Sequence, residues 1–276
     1  QRQMCIRDRF YGGKGINVST VLKNLGVDSV ALGFVAGFTG KAIEEGVAAL
    51  GVKADFITVS DGVSRINVKL KAGEETEING KGPNISDAEL EELYKKLDGL
   101  TDGDCLVLAG AIPPSLPSDV YEKIMARLAG KKVDIVVDAT KDLLLNVLKY
   151  HPFLIKPNNF ELGEMFGVTL HSDEEIEEYA KKLQALGARN VAVSMAGDGS
   201  MLITETGETY RMGVPKGKVV NSVGAGDSMV AGFIASYFAE HDYKKALKYG
   251  AATGSATAFS EGLATKDQVE KLLGQF

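Results

Sequence analysis

The chain has 276 residues, 45% hydrophobic and 25% charged, with a net charge of −6 and a pI near 5.3. That suits one globular domain with at most a small appendage and argues against a nucleic-acid partner. No apolar run approaches the ~18 residues of a membrane helix, and no secretory leader is visible. Cys5 and Cys105 and the histidines 151, 171 and 241 lack metal-ligand spacing, and so few cysteines fit a reducing cytoplasm.

Residues 1–9 carry arginines without apolar periodicity and are expected to be extraneous to a single domain spanning 10–276. Gly12-Gly13-Lys14-Gly15-Ile16-Asn17 then opens a helix whose stripe, Val18, Val21, Leu22 and Leu25, ends at Gly26. Glycines let backbone approach a ligand closely. Lys14 offers a point charge for a phosphate, and Asn17 can donate or accept toward a sugar hydroxyl. The plainer alternative is a glycine turn with a solvated lysine. Residues 30–35 read as a buried strand and 41–50 as a helix stopped by Gly51. Residues 56–59, 64–70 and 75–79 read as short strands, the last two joined by a hairpin turn at 71–74. Together they suggest a small antiparallel lid over about residues 55–80. Arg65 and Asn67, two apart, share one face of it, and an arginine fork matches phosphate oxygens.

From Ser86 helices and strands alternate. Capping boxes Ser86-x-x-Glu89 and Ser172-x-x-Glu175 open two helices. Strands are expected at 105–108, 133–137, 153–155, 191–194 and 201–204, and helices near 118–128, 141–149, 227–239, 243–259 and 265–273. Apolar strands alternating with helices predict an α/β fold, a mostly parallel sheet covered on both faces. Ligands in such sheets bind at the carboxyl ends of strands. Lys156-Pro157-Asn158-Asn159-Phe160-Glu161 follows the strand at 153–155, and Asn158 and Glu161, three apart, can face one Mg²⁺–water cluster or simply cap a helix. Ser194 and the turn Gly197-Asp198-Gly199 end another strand, suited to a nucleotide or to a plain hairpin. Asp138 and Lys141 read as structural.

The strongest local pattern is Asn221-Ser222-Val223-Gly224-Ala225-Gly226-Asp227-Ser228, with an apolar helix directly behind it. Amides at a helix start lack intrahelical partners, and the helix dipole adds positive potential, so Gly224, Ala225 and Gly226 can cradle an anion. Asp227 sets a carboxylate beside that cradle, as a base that takes a hydroxyl proton would stand. A glycine turn with an acidic first turn is the bland reading. Walker, dinucleotide-binding, protein-kinase and nucleophile-elbow templates are all absent.

Taken in order, Gly12-Gly13-Lys14-Gly15-Ile16-Asn17-Val18, Ser64-Arg65-Ile66-Asn67-Val68, Glu75-Thr76-Glu77-Ile78-Asn79-Gly80, Lys156-Pro157-Asn158-x-x-Glu161 and the Gly224–Asp227 stretch resemble the ribokinase-like (PfkB) carbohydrate kinases. Within them the pattern is similar to the hexose-phosphate branch of 1-phosphofructokinase and tagatose-6-phosphate kinase. The resemblance implies ATP- and Mg²⁺-dependent phosphorylation of a ketohexose monophosphate: fructose 1-phosphate to fructose 1,6-bisphosphate, with tagatose 6-phosphate as rival substrate. It implies that Asp227 is the base and that Gly224, Ala225 and Gly226 form the anion hole. Lys14 and Arg65 would hold the sugar's phosphate, with Gly13, Asn17 and Asn67 on the sugar. Glu161 and Asn158 would organise Mg²⁺. Lys156, Asn158, Ser194, Gly197, Gly199, Ser222 and Ser260 would line the ATP site. A homodimer through the lid strands is also implied, with no membrane or nucleic-acid partner.

Two departures accompany the match. The family's first strand, with its Asn-Pro-x-x-Asp aspartate, has no counterpart in these residues, so an N-terminally incomplete chain, even an inactive remnant, is the matching expectation. Ala111 stands where a serine that touches the sugar is common.

Overall fold

The structure, a computed structural model, describes residues 10–276 apart from Gly73 and Thr140. The expectations for residues 1–9 and for a turn through Gly73 lie outside the described residues. Helix α1 (Lys14–Asn24) is followed by β1 (Val30–Ala31), β2 (Phe34–Ala36), α2 (Gly37–Ala49), β3 (Lys53–Ala54) and β4 (Ile57–Val59). A hairpin of β5 (Asn67–Ala72) and β6 (Glu74–Asn79) comes next. The chain then forms α3 (Asp87–Asp98), β7 (Cys105–Ala109), α4 (Val120–Leu128), β8 (Asp134–Asp138), a short α5 (Lys141–Leu145) and β9 (Leu154–Ile155). After these come α6 (Asn159–Phe166), α7 (Asp173–Ala185), β10 (Asn190–Ser194), β11 (Ser200–Ile203) and β12 (Thr209–Met212). Helices α8 (Ala225–Glu240), α9 (Tyr243–Ala258) and α10 (Lys266–Leu273) close the chain.

The main sheet runs β12-β11-β10-β9-β8-β7. Strands β7 to β10 are parallel, and β11 and β12 continue it antiparallel. Side chains alternate between two apolar layers, as the two-residue period of a strand requires. Ile135, Val137, Ile155, Val191, Val193 and Ile203 join α3, α4, α6 and α7. Val136, Leu154, Ala192 and Leu202 face the other way, onto α1, α8, α9 and α10. Each fully buried side chain of this kind contributes about 1.5–3 kcal/mol. Among the described residues no helix is long and apolar enough to cross a membrane.

The parallel strands fall into separate blocks. β1 pairs with β3 and β2 with β4, in one register that continues across both pairs. Among the described residues β2 pairs only with β4, and β7 only with β8. Cys105, Leu106, Val107 and Ala109 are only half-buried, whereas Ile135 to Asp138 of the neighbouring β8 are buried. Side chains bridge the blocks instead: Phe34 packs toward the main core together with Leu116, and α1 lies against β1, β7 and α8.

Several expectations change. The strand expected at 30–35 is split, and Val30 is 55% exposed. Residues 57–59 belong to the body and not to the lid: Ile57 and Val59 are buried, and they pair in parallel with β2. Alternation in a four-residue run does not say which partner a strand takes. The lid is therefore the β5–β6 hairpin alone. The helix expected over 141–149 stops at Leu145, because a tight turn at Leu148–Tyr150 delivers buried Val147 and Leu148 to the core before β9. The edge strand β12 was not expected.

Most of helix α8 is buried: its side chains share one apolar cluster with the sheet, α1 and α9, and glycines admit close contact with α9. A Cβ on Gly250 would stand 2.9 Å from the Met229 carbonyl oxygen, and one on Gly254 3.0 Å from that of Ala225.

Candidate active site

Helices α3, α6, α7 and α9 begin with a side-chain cap from Ser86, Asn158, Ser172 and Asp242 respectively. Helix α8 has none. Its N-cap, Gly224, sits at φ 79, where a Cβ would come 2.9 Å from Leu263 Cδ2. The positive φ favours glycine, and a Cβ would also press on the end of the Leu263 side chain. The first-turn amides have no side-chain acceptor, and the helix dipole is aimed at whatever lies in front of them. That arrangement favours an anion.

Asp227, in this first turn, is buried. One of its carboxylate oxygens accepts from Asn17 Nδ2 at 2.8 Å. Burial pushes its pKa above the usual carboxylate range. The Asn17 hydrogen bond opposes that shift, the Asp138 charge adds to it, and Lys14 and Lys156 pull it down. The result is a carboxylate with raised proton affinity at the mouth of an anion site, as a general base needs.

Two lysines share a counterion here. Lys14 Nζ lies 3.1 Å from one Asp138 oxygen and Lys156 Nζ 3.3 Å from the other. Lys156 and Asp138 are nearly fully buried. Gly226 lies close to Lys156: a Cβ there would stand 3.2 Å from its Nζ. Asp138, Lys156 and Ser194 end or directly follow the parallel strands β8, β9 and β10, so the sheet itself gathers them at one end. Asp138, which reads as structural in the sequence, stands between these two lysines. Its strand-end position, the same address as that of Lys156, was the available signal. Lys141 pairs with Glu164 at 3.4 Å and has no such role.

The remaining expected residues divide. Asn158 and Glu161 form a reciprocal cap on α6: the Asn158 amide donates to Glu161 Oε2 and the Glu161 amide to Asn158 Oδ1, both at 2.8 Å. Asn158 and Ser194 stand side by side in a parallel bridge. Gly199, at φ 98, closes the β10–β11 hairpin where a Cβ would run into the Met212 carbonyl, so its glycine has a structural cause. Gly197 faces open space. Ser222 is exposed, and its carbonyl accepts the Ala225 amide at 3.2 Å. The loop before it docks on the end of α9, where the amides of Val220 and Asn221 donate to the Ala258 carbonyl. Ser260 lies at that same end, its hydroxyl donating to the Ala256 carbonyl and accepting from Gln268. Gly13 is the N-cap of α1 at φ 147. Arg65 and Asn67 are exposed at the root of the lid, with no hydrogen bond to Lys14 or Asp227.

Among the described residues no group of three or more His, Cys, Asp or Glu side chains could hold a metal ion by itself. Mg²⁺ does not need one, since it is usually bound through one or two carboxylates, waters and substrate phosphates.

A parallel α/β sheet with an uncapped helix start, a buried carboxylate and two lysines at its carboxyl end defines an enzyme that transfers phosphoryl groups. A profile of the pfkB family carbohydrate kinases matches residues 7–270, and the chain belongs to that family. A 1-phosphofructokinase of Bacillus subtilis is 50% identical over 265 residues, covering 96% of this chain and 87% of the relative. A D-tagatose-1-phosphate kinase of Bacillus licheniformis is 38% identical, covering 95% of this chain and 86% of the relative. A crystal structure from Staphylococcus aureus, provisionally described as a phosphofructokinase, superposes with a TM-score of 0.87 at 46% identity, covering 96% of this chain and 86% of that one.

Proposed function

We propose that residues 10–276 form one catalytic domain that transfers the γ-phosphoryl group of ATP to the 6-hydroxyl of fructose 1-phosphate, giving fructose 1,6-bisphosphate. The observation that carries this reading is buried Asp227 in the uncapped first turn of α8, beside Lys156. Asp227 accepts the hydroxyl proton as the oxygen–phosphorus bond forms. The amides of Ala225 and Gly226 and the Lys156 ammonium offset the charge on the transferring group. Lys14, tethered to Asp138, adds a second cation at the same end. Glu161, with Asn158 beside it, would hold Mg²⁺, which would supply charge neutralisation for the transferring phosphoryl group. Arg65 and Asn67 reach the sugar phosphate from the lid, with Gly13 and Asn17 on the sugar. Ser194, Gly197, Gly199, Ser222 and Ser260 border the nucleotide.

One rival follows from the relatives. Tagatose 1-phosphate, the substrate named for the Bacillus licheniformis relative, is the C4 epimer of fructose 1-phosphate and offers the same accepting hydroxyl. Tagatose 6-phosphate, the rival expected from the motifs, would have to bind in the reverse sense. ADP release is to be measured with fructose 1-phosphate, tagatose 1-phosphate, fructose 6-phosphate and tagatose 6-phosphate. The expected order of kcat/KM puts fructose 1-phosphate first. Preference for either tagatose phosphate would replace the substrate, and turnover with none of the four would reject the reading.

The lid also supports a homodimer. Ile66, Val68 and Ile78 are exposed on the hairpin, and Val68 and Ile78 are direct cross-strand partners. A second copy covers that face. Val68→Asp with Ile78→Asp should convert a dimer to monomer in sedimentation, and a protein that is already monomeric would refute it.

A further inference from the structure

Behind Asp227 lies a second set of polar contacts that the phosphoryl chemistry does not use. Ser228 is 0% exposed and Thr257 2% exposed. The Thr257 hydroxyl donates to Ser228 Oγ at 2.7 Å. Its oxygen in turn accepts the Ala264 amide at 2.9 Å. The Ala264 carbonyl accepts from Asn24 Nδ2 at 2.9 Å. Asn24 ends α1, and Asn17, about two turns earlier on that helix, holds Asp227. The contacts close a ring through α1, the loop before α10, α9 and the first turn of α8. The same loop places Leu263 against Gly224.

Burying hydroxyls is costly unless each finds a partner, and the surrounding α8–α9 contact is made of glycines, alanines and apolar side chains, with Thr253, whose hydroxyl is satisfied within α9 by the Tyr249 carbonyl. Apolar contact of this kind is non-directional and tolerates small slides of one helix along the other. A hydroxyl–hydroxyl bond has direction, and it fixes both the rotation and the height of α8 at the turn that carries the anion cradle and Asp227.

We propose that Thr257 is a positioning residue for phosphoryl transfer: through Ser228 it sets where the first turn of α8 stands relative to α1, and so where Asp227 meets Asn17. This rests on Asp227 being the base. It touches neither substrate, so its loss acts on the rate and on the proton affinity of Asp227 and spares both substrate affinities.

The test compares Thr257→Val, similar in shape but without the hydroxyl, with Thr257→Ser, which keeps it. Thr257→Val should lower kcat about tenfold, a cost typical of a small misplacement at a reacting centre, while both KM values stay within about twofold. The acid limb of kcat/KM should move to higher pH as the Asn17 contact loosens. Amide hydrogen exchange should quicken at residues 225–228 and stay unchanged at the other end of α8. Thr257→Ser should restore all three. Wild-type kcat, acid limb and local exchange in Thr257→Val, whatever its melting temperature, would overturn the proposal. If that variant does not fold, Ser228→Ala interrogates the same bond from the other side, with the same outcomes deciding. Asp227→Asn serves as the reference: if it keeps turnover, the base assignment fails, and if it is inactive while Thr257→Val is normal, only the positioning role fails.

Discussion

The Asn17 side-chain amide donates to Asp227 at 2.8 Å across 210 residues of sequence, joining the first helix of the described chain to the helix that opens the anion site. That bond lowers the proton affinity which burial raises. The base works only when deprotonated, so the two effects set the acid limb of the pH–rate profile. Asn17→Ala removes the lowering contact and should shift the acid limb of kcat/KM to higher pH. Asp138→Asn removes a neighbouring negative charge and should shift it lower. Profiles measured from pH 4 to 8 check both signs; an unmoved limb in both variants would separate Asp227 from the observed ionisation.

Asp227→Asn should cut turnover by about 10²–10⁴-fold, the usual contribution of a positioned base, with ATP binding still measurable by calorimetry. Its stability should not fall. With the folded-state pKa above the unfolded one, the folded protein binds more protons across that interval, so wild-type stability declines as pH rises through it. The asparagine variant lacks that decline. Melting temperatures compared across the acid range should show the two proteins diverging in favour of the variant as pH increases.

Lys14 and Arg65, both expected on the sugar's phosphate, differ in their surroundings. Lys14 is held by Asp138 beside Lys156, whereas Arg65 is exposed at the lid root. Lys14→Met should lower kcat and weaken ATP, while Arg65→Gln should raise KM for the sugar phosphate and leave that for ATP unchanged. Steady-state kinetics varying each substrate decide it. A Lys14→Met variant altered only in sugar-phosphate KM would return the residue to the role its motif suggested.

Glycines that look alike in sequence should differ in cost. A Cβ on Gly232 would overlap Thr253 of α9, whereas one on Gly197 meets nothing within 4 Å. Gly232→Ala should destabilise the fold by about 1–3 kcal/mol, seen as a lower denaturation midpoint at unchanged slope. Gly197→Ala should leave the midpoint alone; if it raises KM for ATP, the turn lies against the nucleotide.

The sequence was most readable where a local rule and the global arrangement agree. Gly224 announces a helix start whose positive φ favours glycine, and Lys156 follows a strand that must end at the ligand side of the sheet. Asp138 obeys the same strand-end rule, but its partner Lys14 lies 124 residues away, and no local pattern carries that pairing. Residues 57–59 went to the wrong sheet for a related reason: a short alternating run specifies two faces and leaves the choice of neighbour to tertiary structure. The Asn158–Glu161 spacing was compatible with both a metal role and a helix cap, and the two are not exclusive, because only one Glu161 oxygen is engaged by the cap.

Helix α1 rests on β1 at one side of the seam between the strand blocks and on β7 and α8 at the other. It is a crossbeam, and Lys14 and Asn17 are mounted on it. A small shift of α1 along α8 would change the spacing of Asn17 and Asp227 while both helices kept their place in one apolar layer. Catalytic competence in this molecule is therefore a sensitive gauge of how α1 sits on α8, and pH–rate profiles would register a slip between them that melting curves overlook.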